Sequence, residues 1–310
     1  MKKLTILMAA LSIVIPSIAH SSAVLVDAKG NVSVTVRGVP KPAKIGMELP
    51  DGSSVDVTSG GAQVLLESGA MDRVAAGTKY TVGGKSKASS STDLGSGITI
   101  AMRELAASGE APTVHGMVKK VEGPKDLRIS FGAKSGKGLY ALYPRSTAID
   151  LGERTNFIWS KPIDFKDPVL VVDDAKKKRI ALANLKAGDT SFDRRTAKLH
   201  LKSGESFSWF LAERKGNDVK GKTARFTFKT LSKPEAAALA GEMGKVRSLD
   251  MSADGKRFLE AQIYFQHGMY YDAANALKSL YGKSKAPFIK KLLRLSYTKM
   301  GLANEAEKYK

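Results

Sequence analysis

The chain has 310 residues, with 50 lysines and arginines against 30 aspartates and glutamates, a formal net charge of +20; 43% of residues are hydrophobic and 26% are charged. That is a globular composition with a basic bias, and it excludes a disordered tail protein or a fibrous repeat. Cysteine is absent, which excludes disulfides, thiolate zinc sites, CxxC redox chemistry, cysteine nucleophiles and a lipid anchor on an N-terminal cysteine. The four histidines, His20, His115, His200 and His267, are scattered and show no metal-ligand spacing, so no metal or cofactor is expected.

The charge is unevenly spread. Val24 to Glu110 carries 9 basic and 9 acidic residues, Ala111 to Ser232 carries 25 and 13, and Lys233 to Lys310 carries 14 and 8. A nucleic-acid binder that is basic throughout would not show a neutral first third, so the distribution points to separate modules and against nucleic acid as a partner.

In chain order, Met1-Lys2-Lys3 is a basic start, Leu4 to Ile15 is mostly apolar, and Pro16 precedes the small-x-small pattern Ala19-His20-Ser21. This predicts a cleavable signal peptide over residues 1–21 and a periplasmic or secreted protein. The apolar run is shorter than the ~20 residues of a membrane span, and no longer run follows, so no transmembrane segment is expected after cleavage.

From Val24 apolar residues alternate at period two, and short apolar runs recur at Ile45 to Leu49, Ser54 to Val57, Ala62 to Leu66, Arg73 to Ala75 and Lys79 to Val82. Turn clusters such as Pro50-Asp51-Gly52 and Ser59-Gly60-Gly61 separate them, which predicts a small all-β domain over residues 24–110. Val36-Arg37-Gly38, Ala43 to Leu49, Asp51-Gly52-Ser53, Val55, Thr58 and Ala62 to Leu66 resemble the FecR-type domain. In that family's best-known members the domain relays a receptor signal to a sigma factor across the membrane. Only Met1-Lys2-Lys3 precedes the apolar run here, so the resemblance implies an extracytoplasmic β module without the cytoplasmic arm. Residues 83–97 are Gly/Ser-rich and read as a loop or linker, and residues 111–138 as a connecting segment.

Short strand-like runs continue at Thr155 to Trp159, Val169 to Asp173, Arg179 to Leu182, Ala197 to Leu201, Phe207 to Leu211 and Ala224 to Phe228. Their number and spacing over residues 139–231 predict a β-sandwich of immunoglobulin size. Pro144, Phe157-Ile158-Trp159, Leu201-Lys202-Ser203-Gly204 and Phe207-Ser208-Trp209 resemble bacterial Ig-like modules.

The period changes to helical after Ser232, a candidate N-cap with Pro234 in the first turn. Leu259, Tyr264, Gly268 and Ala273 recur 33 residues later as Leu292, Tyr297, Gly301 and Ala306. The spacing places a large inner residue, a turn glycine and a small packing residue on paired helices. It resembles tetratricopeptide (TPR) repeats, which implies α-helical hairpins over residues 232–310. The fold class expected is therefore multidomain: a FecR-like β domain, an Ig-like β-sandwich and TPR-like helices.

Motifs for chemistry are sparse. Gly136-Lys137-Gly138-Leu139-Tyr140-Ala141 satisfies GxGxxA but lacks the following helix that would hold a pyrophosphate. Asp164, Asp167, Asp173 and Asp174 are the nearest acidic grouping, and Asp173-Asp174 followed by Lys176, Lys177, Lys178 and Arg179 reads as a charged hairpin tip. The four cations are candidate contacts for an anionic cell-wall polymer or lipid headgroups. Trp159 and Trp209 read as sandwich core, His200 as solvent-facing, His267 as lying near a helix C-terminus, and Tyr264, Tyr271 and Tyr297 as candidates to line a partner groove. The function expected is a non-enzymatic binding or scaffold protein of the bacterial envelope with protein partners. The alternatives are binding of peptidoglycan or anionic polysaccharide through the basic Ig-like module, and a carboxylate-dependent hydrolase.

Overall fold

A computed structural model describes residues 23–84, 88, 90–93, 104, 139–152, 156–195, 199–216 and 218–310. The expected signal peptide, most of the Gly/Ser-rich stretch, the GxGxxA start and the 111–138 connection lie outside them. A β-rich N-terminal portion with four sheets is followed by helices.

The first β unit contains β1 (Ala23–Lys29), β2 (Val32–Val36), β3 (Val39–Pro42), β4 (Met47–Leu49), β5 (Ser54–Val57), β6 (Gly61–Leu66), β7 (Ala70–Ala75), β8 (Thr78–Thr81) and β9 (Ser90–Asp93). They form an antiparallel sheet in the order β4-β1-β6-β7-β9 and a second in the order β3-β2-β5-β8. Leu25, Leu49 and Val64 from one sheet and Val34, Val55 and Tyr80 from the other close a shared core. The Gly/Ser-rich stretch is not wholly a loop: Ser90–Asp93 pairs with Ala70 to Arg73 of β7, a ladder that any run of non-proline residues can supply with backbone donors and acceptors.

β1 is apolar from Ala23 to Val26 without alternation and is buried on both faces. Leu25 enters the sheet-to-sheet core, while Val24 and Val26 join Leu65 and Met71 beneath the helices. A continuous apolar strand is what a central strand covered on both sides requires.

The second unit contains β10 (Ala141–Tyr143), β11 (Ala148–Ile149), β12 (Asn156–Trp159), β13 (Pro168–Asp174), β14 (Arg179–Asn184), β15 (Ser191–Asp193), β16 (Ser206–Lys215), β17 (Asp218–Gly221) and β18 (Phe226–Thr230). One sheet runs β10-β12-β15, and the other β11-β18-β16-β13-β14 with β17 hairpinned onto β16. Their inner faces meet in an aromatic core in which Phe157 stands edge-on to Trp209 at 5.1 Å between centroids. Trp159 and Trp209 are 2% and 0% exposed, and their indole N–H groups donate to the carbonyls of Asp189 and Pro144, as buried indoles require. The strand expected at Ala197 to Leu201 is absent from its described part. Leu199 and Leu201 are buried as period two demands, but the Leu201 N–H bonds the Leu199 carbonyl, so the backbone turns on itself and joins no ladder.

The C-terminal helices are α1 (Lys233–Ser248), α2 (Ala253–Gln266), α3 (Tyr270–Ser284), α4 (Pro287–Lys299) and α5 (Ala303–Glu307). Ser232 caps α1 in a reciprocal capping box with Glu235, and proline occupies the first turn. The 33-residue repeat is structural. Gly268 and Gly301 both adopt positive φ, 72° and 68°, a region that glycine enters without steric cost. The turn bonds also correspond, with Met269 N–H to Tyr264 C=O at 2.8 Å matched by Leu302 N–H to Tyr297 C=O at 2.9 Å. No helix among the described residues is long and apolar enough to cross a membrane.

Candidate functional site

The helical end is built into both β units. On one side, α2 packs over β1, and the buried carboxylate of Asp27 accepts hydrogen bonds from the backbone N–H and the hydroxyl of Ser252. Ser252 is itself the N-cap of α2, its oxygen accepting from the Gly255 N–H at 3.0 Å. Gly255 has no side chain because none fits: a Cβ there would stand 2.9 Å from the Val26 carbonyl oxygen. Beside this contact the Asp250 carboxylate meets Lys29 at 2.9 Å and Arg73 at 3.3 Å. These cations, Lys29 foremost, hold its pKa below the usual carboxylate range, and Gln63 donates to the Asp250 carbonyl.

On the other side, the segment between β10 and β11 serves both repeat-related turns. The Thr147 hydroxyl donates to the Gly268 carbonyl and accepts from the Tyr270 N–H, each at 3.0 Å. The Ala148 N–H also reaches the Gly268 carbonyl, at 2.8 Å. Arg145 donates to the carbonyl of the equivalent glycine, Gly301, at 2.9 Å.

These contacts determine what the candidate groove tyrosines do. Tyr271 stacks on Tyr143 of β10 with ring centroids 4.3 Å apart. Tyr297 is buried and stacks on Tyr309 at 5.8 Å; burial raises its hydroxyl pKa. Tyr264 is half-buried against the helical core. Tyr271 and Tyr297 thus spend their faces on the protein's own aromatics. The signal missed in the sequence was Tyr143, whose strand supplies the ring that covers Tyr271.

The hairpin tip is where period and charge place it. Lys176, Lys177 and Lys178 in the turn between β13 and β14, and Arg179 at the start of β14, are all exposed. Asp174 shapes the turn by accepting from the Lys176 and Lys178 N–H groups, each at 2.9 Å, and Lys177 takes positive φ. The tip is therefore cationic despite its two aspartates: Asp174 is spent on the turn, and buried Asp173 is paired with Arg225. None of the four cations forms an ion pair among the described residues.

The other candidate groups do not converge with the tip. Asp164 lies near Lys161, His200 is exposed, and His267 caps the end of α2 with Nε2 3.0 Å from a Glu242 oxygen. No group of three or more histidines and carboxylates among the described residues is arranged to hold a metal ion. Comparison with protein-family models and with curated protein sequences finds no match to this chain.

Proposed function

We propose that the chain is a non-enzymatic, extracytoplasmic binding or scaffold protein of a bacterial envelope, with a FecR-like β module, an Ig-like sandwich and a TPR-like helical end. The observation that carries this reading is the double attachment of the helices, to Asp27 on one side and to Thr147 and Arg145 on the other. Such attachment presents partners with one composite surface of fixed geometry, which lowers the ordering cost of binding. The supporting experiment is photo-crosslinking in the native envelope from exposed positions spread over the three units. Recovery of the same protein partner from several positions is expected. Crosslinks confined to lipid or polymer, or no protein partner at any position, would overturn the reading.

A second reading, binding of peptidoglycan or another anionic polymer through the Ig-like unit, is favoured by the four exposed cations of the hairpin tip, which form no ion pair among the described residues. It predicts cosedimentation with purified cell-wall sacculi that weakens with salt and with Lys176, Lys177 and Lys178 changed to Ala. Retention indifferent to both would contradict it.

A further inference from the structure

β14 is an edge strand of its sheet, hydrogen-bonded to β13 alone among the described residues. The Leu185 N–H donates to the Pro168 carbonyl just beyond the ladder, so that pair, Ala183 with Leu170 and Ala181 with Val172 are the bonded pairs of the register. Bonded and non-bonded pairs alternate in an antiparallel ladder. Leu182 and Asn184 therefore direct their backbone N–H and C=O groups away from β13.

The side chains at this edge are unusual as well. The large exposed apolar residues among the described ones are Val39, Ile180 at 39% and Leu182 at 38%, and two of these three lie on β14. Leu182 pairs with Val171 and so shares the outer face of the sheet, where Val169, Val171, Phe210 and Ala212 form a separate apolar cluster. A strand added beyond β14 would extend that face. Lys176 to Arg179 stand at the end of the same strand with no acidic partner among the described residues.

We propose that β14 is a docking edge for an extended peptide segment of a partner protein, alternating apolar and polar residues, with acidic residues at the end beside Lys176–Arg179. The proposal rests on the scaffold reading and names the surface and the chemistry of its partner. Main-chain bonds to Leu182 and Asn184 supply affinity, Ile180 and Leu182 read the alternate side chains, and the cations fix which end lies at the tip. A second copy of this chain fits the edge badly. Antiparallel self-pairing about Leu182 sets Lys178 opposite Lys186, and like charges facing each other across a ladder destabilise it. A polysaccharide or lipid headgroup would use the cations but leave the amide row and the two apolar side chains without a role.

The test uses the full chain and a synthetic peptide of alternating valine and threonine ending in three aspartates, followed by titration and amide exchange. Saturable binding with slowed exchange at Leu182 and Asn184 is expected. Leu182→Pro removes an outward N–H that has no partner among the described residues, a change that sheet edges tolerate, and should abolish binding while thermal unfolding stays near wild type. K176E/K178E should weaken binding about tenfold or more at low salt. Equal binding by Leu182→Pro, or equal binding of polyglutamate without exchange protection, would overturn the edge proposal. The crosslinking test of the scaffold reading stands or falls separately.

Discussion

Asp27 of β1 and Ser252, the cap of α2, are 225 residues apart in the chain and joined by two hydrogen bonds to one buried carboxylate. The helix cap is thus held by the first β unit. Replacing Asp27 by Ala leaves the Ser252 N–H without its acceptor and should cost about 3 kcal/mol of stability. Thermal or urea unfolding of the variant measures this, and Asp27→Asn should recover part of the loss.

Gly255 gives a prediction whose sign is diagnostic. Glycine to alanine in an exposed helix gains up to about 1 kcal/mol. Here the added methyl would meet the Val26 carbonyl at 2.9 Å and an Asp27 carboxylate oxygen at 3.0 Å, so Gly255→Ala should destabilise. A stabilising effect in urea unfolding would mean that α2 does not sit against β1.

Thr147 holds the other attachment. Thr147→Val keeps the shape and removes the hydroxyl that bridges the Gly268 carbonyl and the Tyr270 N–H. The expected loss is about 1–2 kcal/mol, accompanied by faster hydrogen exchange at Tyr270.

These attachments mark the limit of what the sequence made legible. Period two located most strands of both β units, the 33-residue recurrence located the paired helices, and Ser232 with Pro234 located the start of α1. Each of those signals is local or periodic. Asp27 to Ser252 and Thr147 to Tyr270 span 225 and 123 residues, and nothing near either member announces its partner. Asp27 reads as an ordinary polar residue at the end of a strand, and only the packing of α2 over β1 explains its burial. Likewise, two-residue β11 is too short for any period to register. The cationic tip was legible because a hairpin turn and a charge run coincide at Asp174–Arg179; the exposed edge beside it required knowing that β14 has one neighbour.

Glu235 sets a pH dependence. The Lys229 ammonium, followed by bonds from Ser232, lowers its carboxyl pKa to about 2. A depressed folded-state pKa stabilises above the unfolded value, near 4.3, and this contribution disappears as pH falls towards 2. Wild type should therefore exceed Glu235→Gln in melting temperature at pH 6, by no more than about 1 kcal/mol equivalent at so exposed a site. The two should converge by about pH 2.

Held at Asp27, Thr147 and Arg145, the helical end should unfold together with the β units as one cooperative body. Both tryptophans, Trp159 and Trp209, lie in the second β unit, and α1 to α5 lie at the C-terminal end. Tryptophan fluorescence and helix circular dichroism at 222 nm therefore report different parts of the chain. Recorded together through thermal unfolding, they should give coincident transitions in the wild type. A helix transition well separated from the tryptophan transition would contradict the account and make the helical end an independent arm.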